Sequence, residues 1–108
     1  MTIHIDDLQF DVIIGLLDFE RDRPQRVIID LEASYAYRCE DFINYADMVS
    51  LIRNELKEKR YKLLEEALLG LKERLYASYP QFKTLKLKIA KPDILQECSV
   101  ALSHSWEF

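Results

Sequence analysis

The stretch NYADMVSLIRNELKEKRYKLLEEALLGLKERLYASYP, Asn44 to Pro80, decides the fold. Tyr45, Met48, Val49, Ile52 and Leu56 fall at i, i+3, i+4, i+7 and i+11, one stripe of an amphipathic helix. Asn44 stands before it as an N-cap, with Asp47 in the capping-box position. The charged run Lys57 to Lys62 interrupts the apolar pattern, and a second stripe follows at Leu64, Ala67, Leu68, Leu71 and Leu75. Pro80 stops it, because the residue before a proline avoids the helical region. Two consecutive helices are therefore predicted, with no strand between them.

Strand patterns flank this helical pair. From Ile3 to Ile14 the apolar residues change parity: Ile3 and Ile5 share one, Leu8, Phe10, Val12 and Ile14 the other. The switch at Asp6-Asp7 predicts a bulge or bend in a strand. Gly15 and the polar stretch Asp18 to Gln25, with Pro24, read as a connection. Val27, Ile29, Leu31, Ala33, Tyr35 and Tyr37 then alternate with polar residues, a period-two strand. After the helices, Leu85, Leu87 and Ile89 alternate with Lys86 and Lys88, and Val100, Leu102, His104, Trp106 and Phe108 with Ser99, Ser103, Ser105 and Glu107. The order is ββααββ: an α+β fold, a four-stranded antiparallel sheet with both helices on one face. Two helices of this length cover only part of such a sheet. Long strands with unguarded edges predict a closed oligomer.

Composition narrows the function. With 108 residues, 49% hydrophobic and 31% charged, the sequence reads as one globular domain over 1–108. A net charge of −4 is no basic footprint, so nucleic acid is not an expected partner. Residues 1–50 hold four Lys/Arg against eleven Asp/Glu, an asymmetry read as solvated surface charge. No apolar run reaches the roughly 20 residues of a membrane span. The opening MTIHIDDLQF shows no secretory signal, and Cys39 and Cys98 form no CxxC pair, so a cytoplasmic protein with reduced thiols is expected. Two glycines, Gly15 and Gly70, cannot build a glycine-rich phosphate loop. His4 and His104, the two histidines, make no metal motif.

Four residues stand out against the pattern. Lys91 continues the inward parity of Leu85, Leu87 and Ile89 at a strand end. It is either a lysine reaching back to solvent or a proton-transfer group drawn partly out of water. Glu65 and Glu66 open the second helix, where the dipole favours acids. Glu65 follows the core residue Leu64, and an ionised carboxylate there can accept two parallel bonds from a planar N–H/NH₂ edge. Tyr45 heads the first helix, either packing or pointing its phenol off the end. Glu20 lies in the first connection, where an acid is ordinarily just solvated.

The run Ile14-Gly15-Leu16-Leu17-Asp18-Phe19-Glu20-Arg21-Asp22-Arg23-Pro24-Gln25-Arg26-Val27 resembles the first hairpin of the dihydroneopterin aldolase family, with Gly15, Glu20 and Gln25 at matching places. Asn44-Tyr45-Ala46-Asp47 is similar to the family's Tyr-Ala-Asp helix start, Leu63-Leu64-Glu65 to its Leu-hydrophobic-Glu, and Ile89-Ala90-Lys91-Pro92 to its Lys-Pro strand end. Four motifs in order, over nearly the whole chain, carry the resemblance. It implies the T-fold, with subunit sheets joined into a barrel, tetrameric or octameric, and a pterin site between subunits. It implies that Glu65, with backbone near Leu64, anchors the pterin. Lys91 would be the acid/base, Tyr45 of a neighbouring subunit would assist protonation, and Glu20 would line the reacting side chain. The implied reaction is retro-aldol cleavage of 7,8-dihydroneopterin in folate biosynthesis, with epimerisation at C2′ on the side and with neither metal nor other cofactor. The connection from Ser34 to Ile43 is shorter than the family's usual one.

Two other readings use the same residues. A dihydroneopterin triphosphate 2′-epimerase shares the fold and could employ Arg21, Arg23 and Arg26 on a triphosphate. A non-catalytic pterin-binding T-fold subunit would retain the pocket without the chemistry.

Overall fold

The parity switch in the first strand is a bulge. In the computed structural model, which describes residues 1–108, β1 (Thr2–Val12) pairs antiparallel with β2 (Gln25–Tyr35), and the register shifts between Ile5 and Leu8. Asp7 takes a φ of 57°, and its N–H donates to Asp30 Oδ1 at 2.8 Å. The extra residue lets Ile3 and Ile5 pack on the same core as Leu8 and Phe10.

Two helices follow β2: α2 (Tyr45–Lys59) and α3 (Leu64–Ser78). They are numbered after a short α1 (Asp18–Asp22) between β1 and β2. Asn44 caps α2 as expected, its Oδ1 accepting from the Ala46 N–H at 3.0 Å. The helical pair leads into β3 (Phe82–Lys91) and β4 (Val100–Glu107). All strands are antiparallel in the order β1-β2-β3-β4.

One core joins the layers. Met48, Ile52 and Leu56 of α2, with Ala67, Leu68, Leu71 and Leu75 of α3, pack on Val27, Ile29, Leu31 and Ala33 of β2 and Leu85, Leu87 and Ile89 of β3. The alternate positions Glu32, Lys86 and Lys88 are exposed, and Glu32 faces Lys86 while Asp30 faces Lys88 across the ladder. Both helices therefore lie on one face of the sheet. β4, at an edge, is less covered: Leu102 and Trp106 are half-buried, while His104 is exposed against the Trp106 ring.

Two sequence expectations need correction, and one buried acid comes in addition. The connection from Asp18 to Gln25 is partly helical, because Glu20 folds back and its Oε1 accepts from the Leu17 N–H at 3.1 Å. A five-residue helix is too short for periodicity to reveal. The second strand ends at Tyr35, and Tyr37 is exposed beyond it. Glu55, inside the apolar stripe of α2, is buried and accepts a hydrogen bond from the Tyr61 hydroxyl at 2.5 Å.

Candidate active site

Gly15 begins the site. Its φ of +125° suits glycine, and a Cβ there would collide with the Glu20 carboxyl group. The missing side chain lets α1 turn Glu20 inward, where only 3% of its side chain remains exposed. Glu20 is therefore not the solvated acid that its place in a connection suggests. Its Oε2 accepts from Gln25 Nε2 at 2.8 Å and from Lys91 Nζ at 2.9 Å. Gln25 is itself fixed by donating to the Ile14 carbonyl at 2.7 Å.

Lys91, at the end of β3, is the other half of a nearly dry ion pair, with 12% of its side chain exposed. It does not run out to solvent as strand-end lysines ordinarily do. Burial alone would drive the Glu20 pKa up. Hydrogen bonds from Lys91, Gln25 and the Leu17 N–H, with the Lys91 charge, outweigh it and hold the carboxyl below its ordinary 4.5. The sign follows: a depressed folded pKa gives stability that is present above the ordinary value and lost as pH falls through the folded one. The wild-type denaturation midpoint is expected to fall more steeply below pH 4.5 than that of Glu20→Gln. Parallel urea-midpoint profiles for the two proteins would show that folding does not favour the Glu20 anion.

A cavity of about 430 Å³ opens over this pair, lined by Glu20 and Lys91 together with Leu64 and Glu65. Its walls are mostly apolar, from Leu16, Leu17, Leu63, Ile94, Leu95 and Leu102. A concave, largely apolar pocket with few convergent polar groups is the usual form of a small-molecule site. Glu65 is exposed in the first turn of α3 and also borders a 280 Å³ pocket against Leu102, His104 and Trp106. The free backbone N–H groups of that first turn lie beside the Glu65 anion. The cavity thus runs from the Glu20–Lys91 pair to Leu64–Glu65, where it adjoins the second pocket.

Tyr45 is absent from this cavity. It stands 68% exposed at the start of α2, whereas Glu65 follows the opposite end of that helix. Fifteen residues of helix separate the two ends by about 20 Å. One chain therefore unites Glu20, Lys91, Leu64 and Glu65 and leaves Tyr45 outside.

Arg21 differs from the surface charge it resembles in sequence, whereas Arg26 is one. Arg21 donates to three backbone carbonyls, those of Gly15, Arg60 and Tyr61. Arg26 is paired with Asp93 at 3.3 Å. Neither lines the cavity. The fastening role of Arg21 and the orienting role of Gln25 escaped sequence reasoning. Both depend on partners that folding brings together, and no local spacing signals them.

A ββααββ chain of this shape, with its helices on one face of an antiparallel sheet, has the T-fold. A Vibrio cholerae structure assigned as a dihydroneopterin aldolase shares it with a TM-score of 0.89 at 18% identity, over 100% of this chain and 98% of that one. The Escherichia coli dihydroneopterin aldolase in complex with neopterin gives 0.87 at 21% identity, over 98% of each chain. A Haemophilus influenzae dihydroneopterin aldolase is 28% identical, over 83% of this chain and 81% of its own. The family model for dihydroneopterin aldolase (FolB) matches residues 3–103, and the chain belongs to that family of aldehyde-lyases.

Proposed function

We propose that this chain cleaves 7,8-dihydroneopterin by a retro-aldol reaction, giving 6-hydroxymethyl-7,8-dihydropterin and glycolaldehyde. The observation that carries the residue assignment is the nearly dry Glu20–Lys91 pair in the same cavity as Glu65. Glu65 accepts the pterin's 2-amino group and adjacent ring N–H, as an ionised carboxylate accepts a planar two-donor edge. Backbone near Leu64 completes that end. The neopterin in the Escherichia coli complex supports a ligand of this class.

The chemistry follows from substrate and site together. Removing the proton of the 2′-hydroxyl turns C2′ into the aldehyde carbon of glycolaldehyde as the C1′–C2′ bond breaks. The electron pair passes through C1′ into the C6=N5 imine, so the substrate is its own electron sink. Lys91 exchanges a proton near N5, Glu20 holds its ammonium in place, and Tyr45 of a neighbouring subunit delivers a proton to C1′, the proton released from the 2′-hydroxyl restoring the phenol so that none is gained or lost overall. Re-closing the bond on the other aldehyde face inverts C2′, which gives an epimerase side reaction.

The oligomer belongs to the same proposal. β1 and β4 are sheet edges with no partner strand, and Leu16, Leu17, Phe19, Phe42, Tyr45 and Leu69 are exposed. A barrel of four or eight subunits would cover the edges and bring Tyr45 to the neighbour's cavity. A cytoplasmic setting fits the exposed free thiols Cys39 and Cys98.

Incubation with 7,8-dihydroneopterin in EDTA, followed by chromatography of the pterins, tests the activity. The hydroxymethyl product is expected; unchanged substrate or the epimer alone would overturn the aldolase reading. Shared sites predict complementation. Tyr45→Phe and Lys91→Ala, each nearly inactive, are expected on co-expression to recover activity in about a quarter of sites, where both groups are intact. Absence of recovery in a mixed oligomer would place Tyr45 and Lys91 in unrelated roles.

A further inference from the structure

The two ends of the cavity come from segments far apart in sequence. The acid end rides on the loop and short helix from Gly15 to Asp22, and the recognition end on the turn from Arg60 to Glu65. Arg21 spans them. Its Nη1 donates to the Gly15 carbonyl at 3.1 Å and the Tyr61 carbonyl at 3.3 Å, and its Nη2 to the Arg60 carbonyl at 2.9 Å. The Gly15 N–H adds a bond to the Tyr61 carbonyl at 3.0 Å. Arg60 is the left-handed C-cap of α2, so the guanidinium also meets the negative end of that helix.

We propose that Arg21 is the positioning residue that sets the distance between the acid pair and the pterin anchor, and so selects a substrate of matching length. The inference rests on the aldolase reading, in which one ligand must touch both ends at once. Arg21 adjoins Glu20 in sequence, so its three bonds fix the backbone from which the carboxylate projects. The acceptors are all main-chain carbonyls, so Arg21 supplies every side-chain bond of the clamp, beside the Gly15–Tyr61 backbone bond. A planar fork with several donors meets three carbonyls in fixed geometry; the single ammonium of lysine does not. Catalytic geometry is sensitive at this scale, since a displacement of about 1 Å costs on the order of 10²-fold in rate.

The test compares two ligands that differ in reach. Unsubstituted pterin touches the anchor end alone, whereas neopterin, with its trihydroxypropyl side chain, touches both. In Arg21→Ala, pterin affinity is expected to stay within about threefold of wild type, while neopterin affinity and kcat for 7,8-dihydroneopterin fall at least about tenfold. Guanidinium ion at a non-denaturing concentration should restore part of the lost rate, and Arg21→Lys should fall between the two proteins. A merely structural arginine would lower the melting temperature and weaken both ligands alike. Equal loss for both ligands, or cleavage and neopterin binding within twofold of wild type, overturns the proposal. Should Arg21→Ala fail to fold, the same comparison on Arg21→Lys decides it. A wild-type chain that binds both pterins without cleaving 7,8-dihydroneopterin removes the aldolase reading, and the binding comparison still decides the role of Arg21.

Discussion

Replacing Lys91 by alanine is expected to lower kcat for dihydroneopterin cleavage by about 10²- to 10⁴-fold, the usual span for loss of a positioned acid or base. KM should move little, because the proposed pterin anchor is Glu65, a separate residue of the cavity lining. The same substitution leaves the 3% exposed Glu20 carboxylate without its ammonium partner. Gln25 and the Leu17 N–H remain as donors, which are too few for a buried anion. Breaking a buried pair from one side costs about 3–5 kcal/mol, so the melting temperature should fall with the rate. Lys91→Ala with Glu20→Gln separates the effects: stability should return substantially and turnover should not. Near-normal turnover in Lys91→Ala would remove the lysine from the chemistry.

Glu65→Ala is expected to act on affinity. Two charge-assisted hydrogen bonds, each worth about 1.5–3 kcal/mol, would be lost from pterin recognition. At about 1.4 kcal/mol per tenfold, binding of 6-hydroxymethyl-7,8-dihydropterin should weaken by at least about 10²-fold. Stability should change little, because Glu65 is exposed and the site of substitution is a helix surface. Fluorescence titration with the product measures this without turnover. An unchanged dissociation constant would refute the anchor role and shift attention to the backbone of Leu63 and Leu64.

The sheet, the helical pair and the β1 bulge were legible because each leaves a repeating mark along the chain. Alternation shows a half-buried strand, the 3.6-residue stripe shows a helix, and Asp6-Asp7 interrupts the parity where the register shifts. Lys91 was legible as a departure from those repeats and Glu65 as an acid beside the stripe that Leu64 opens, and the cavity brings the three together. Glu20 was legible only through resemblance. Nothing in an acid between Phe19 and Arg21 announces that it turns inward over a glycine five residues back. Arg21 was illegible for a related reason: its acceptors Arg60 and Tyr61 are about 40 residues away and are backbone atoms, which any sequence supplies. Tyr45 was legible as a helix start, but its exposure shows that packing within one chain does not account for it.

Tyr61 has a consequence for how tightly a ligand can be held. Its ring lies against Gly70, its hydroxyl donates to the buried Glu55, and its carbonyl takes bonds from Gly15 and Arg21. Burial and the Glu55 anion push its phenol pKa up, so the hydroxyl keeps its proton and remains a donor. The short link between two helices is ordinarily where a helical hairpin frays, yet here it is fastened on several sides at once. An arriving ligand therefore meets a turn that has already surrendered its conformational freedom during folding. Less of the contact energy at Leu64 and Glu65 is consumed in ordering the protein, and more is left to express itself as residence time.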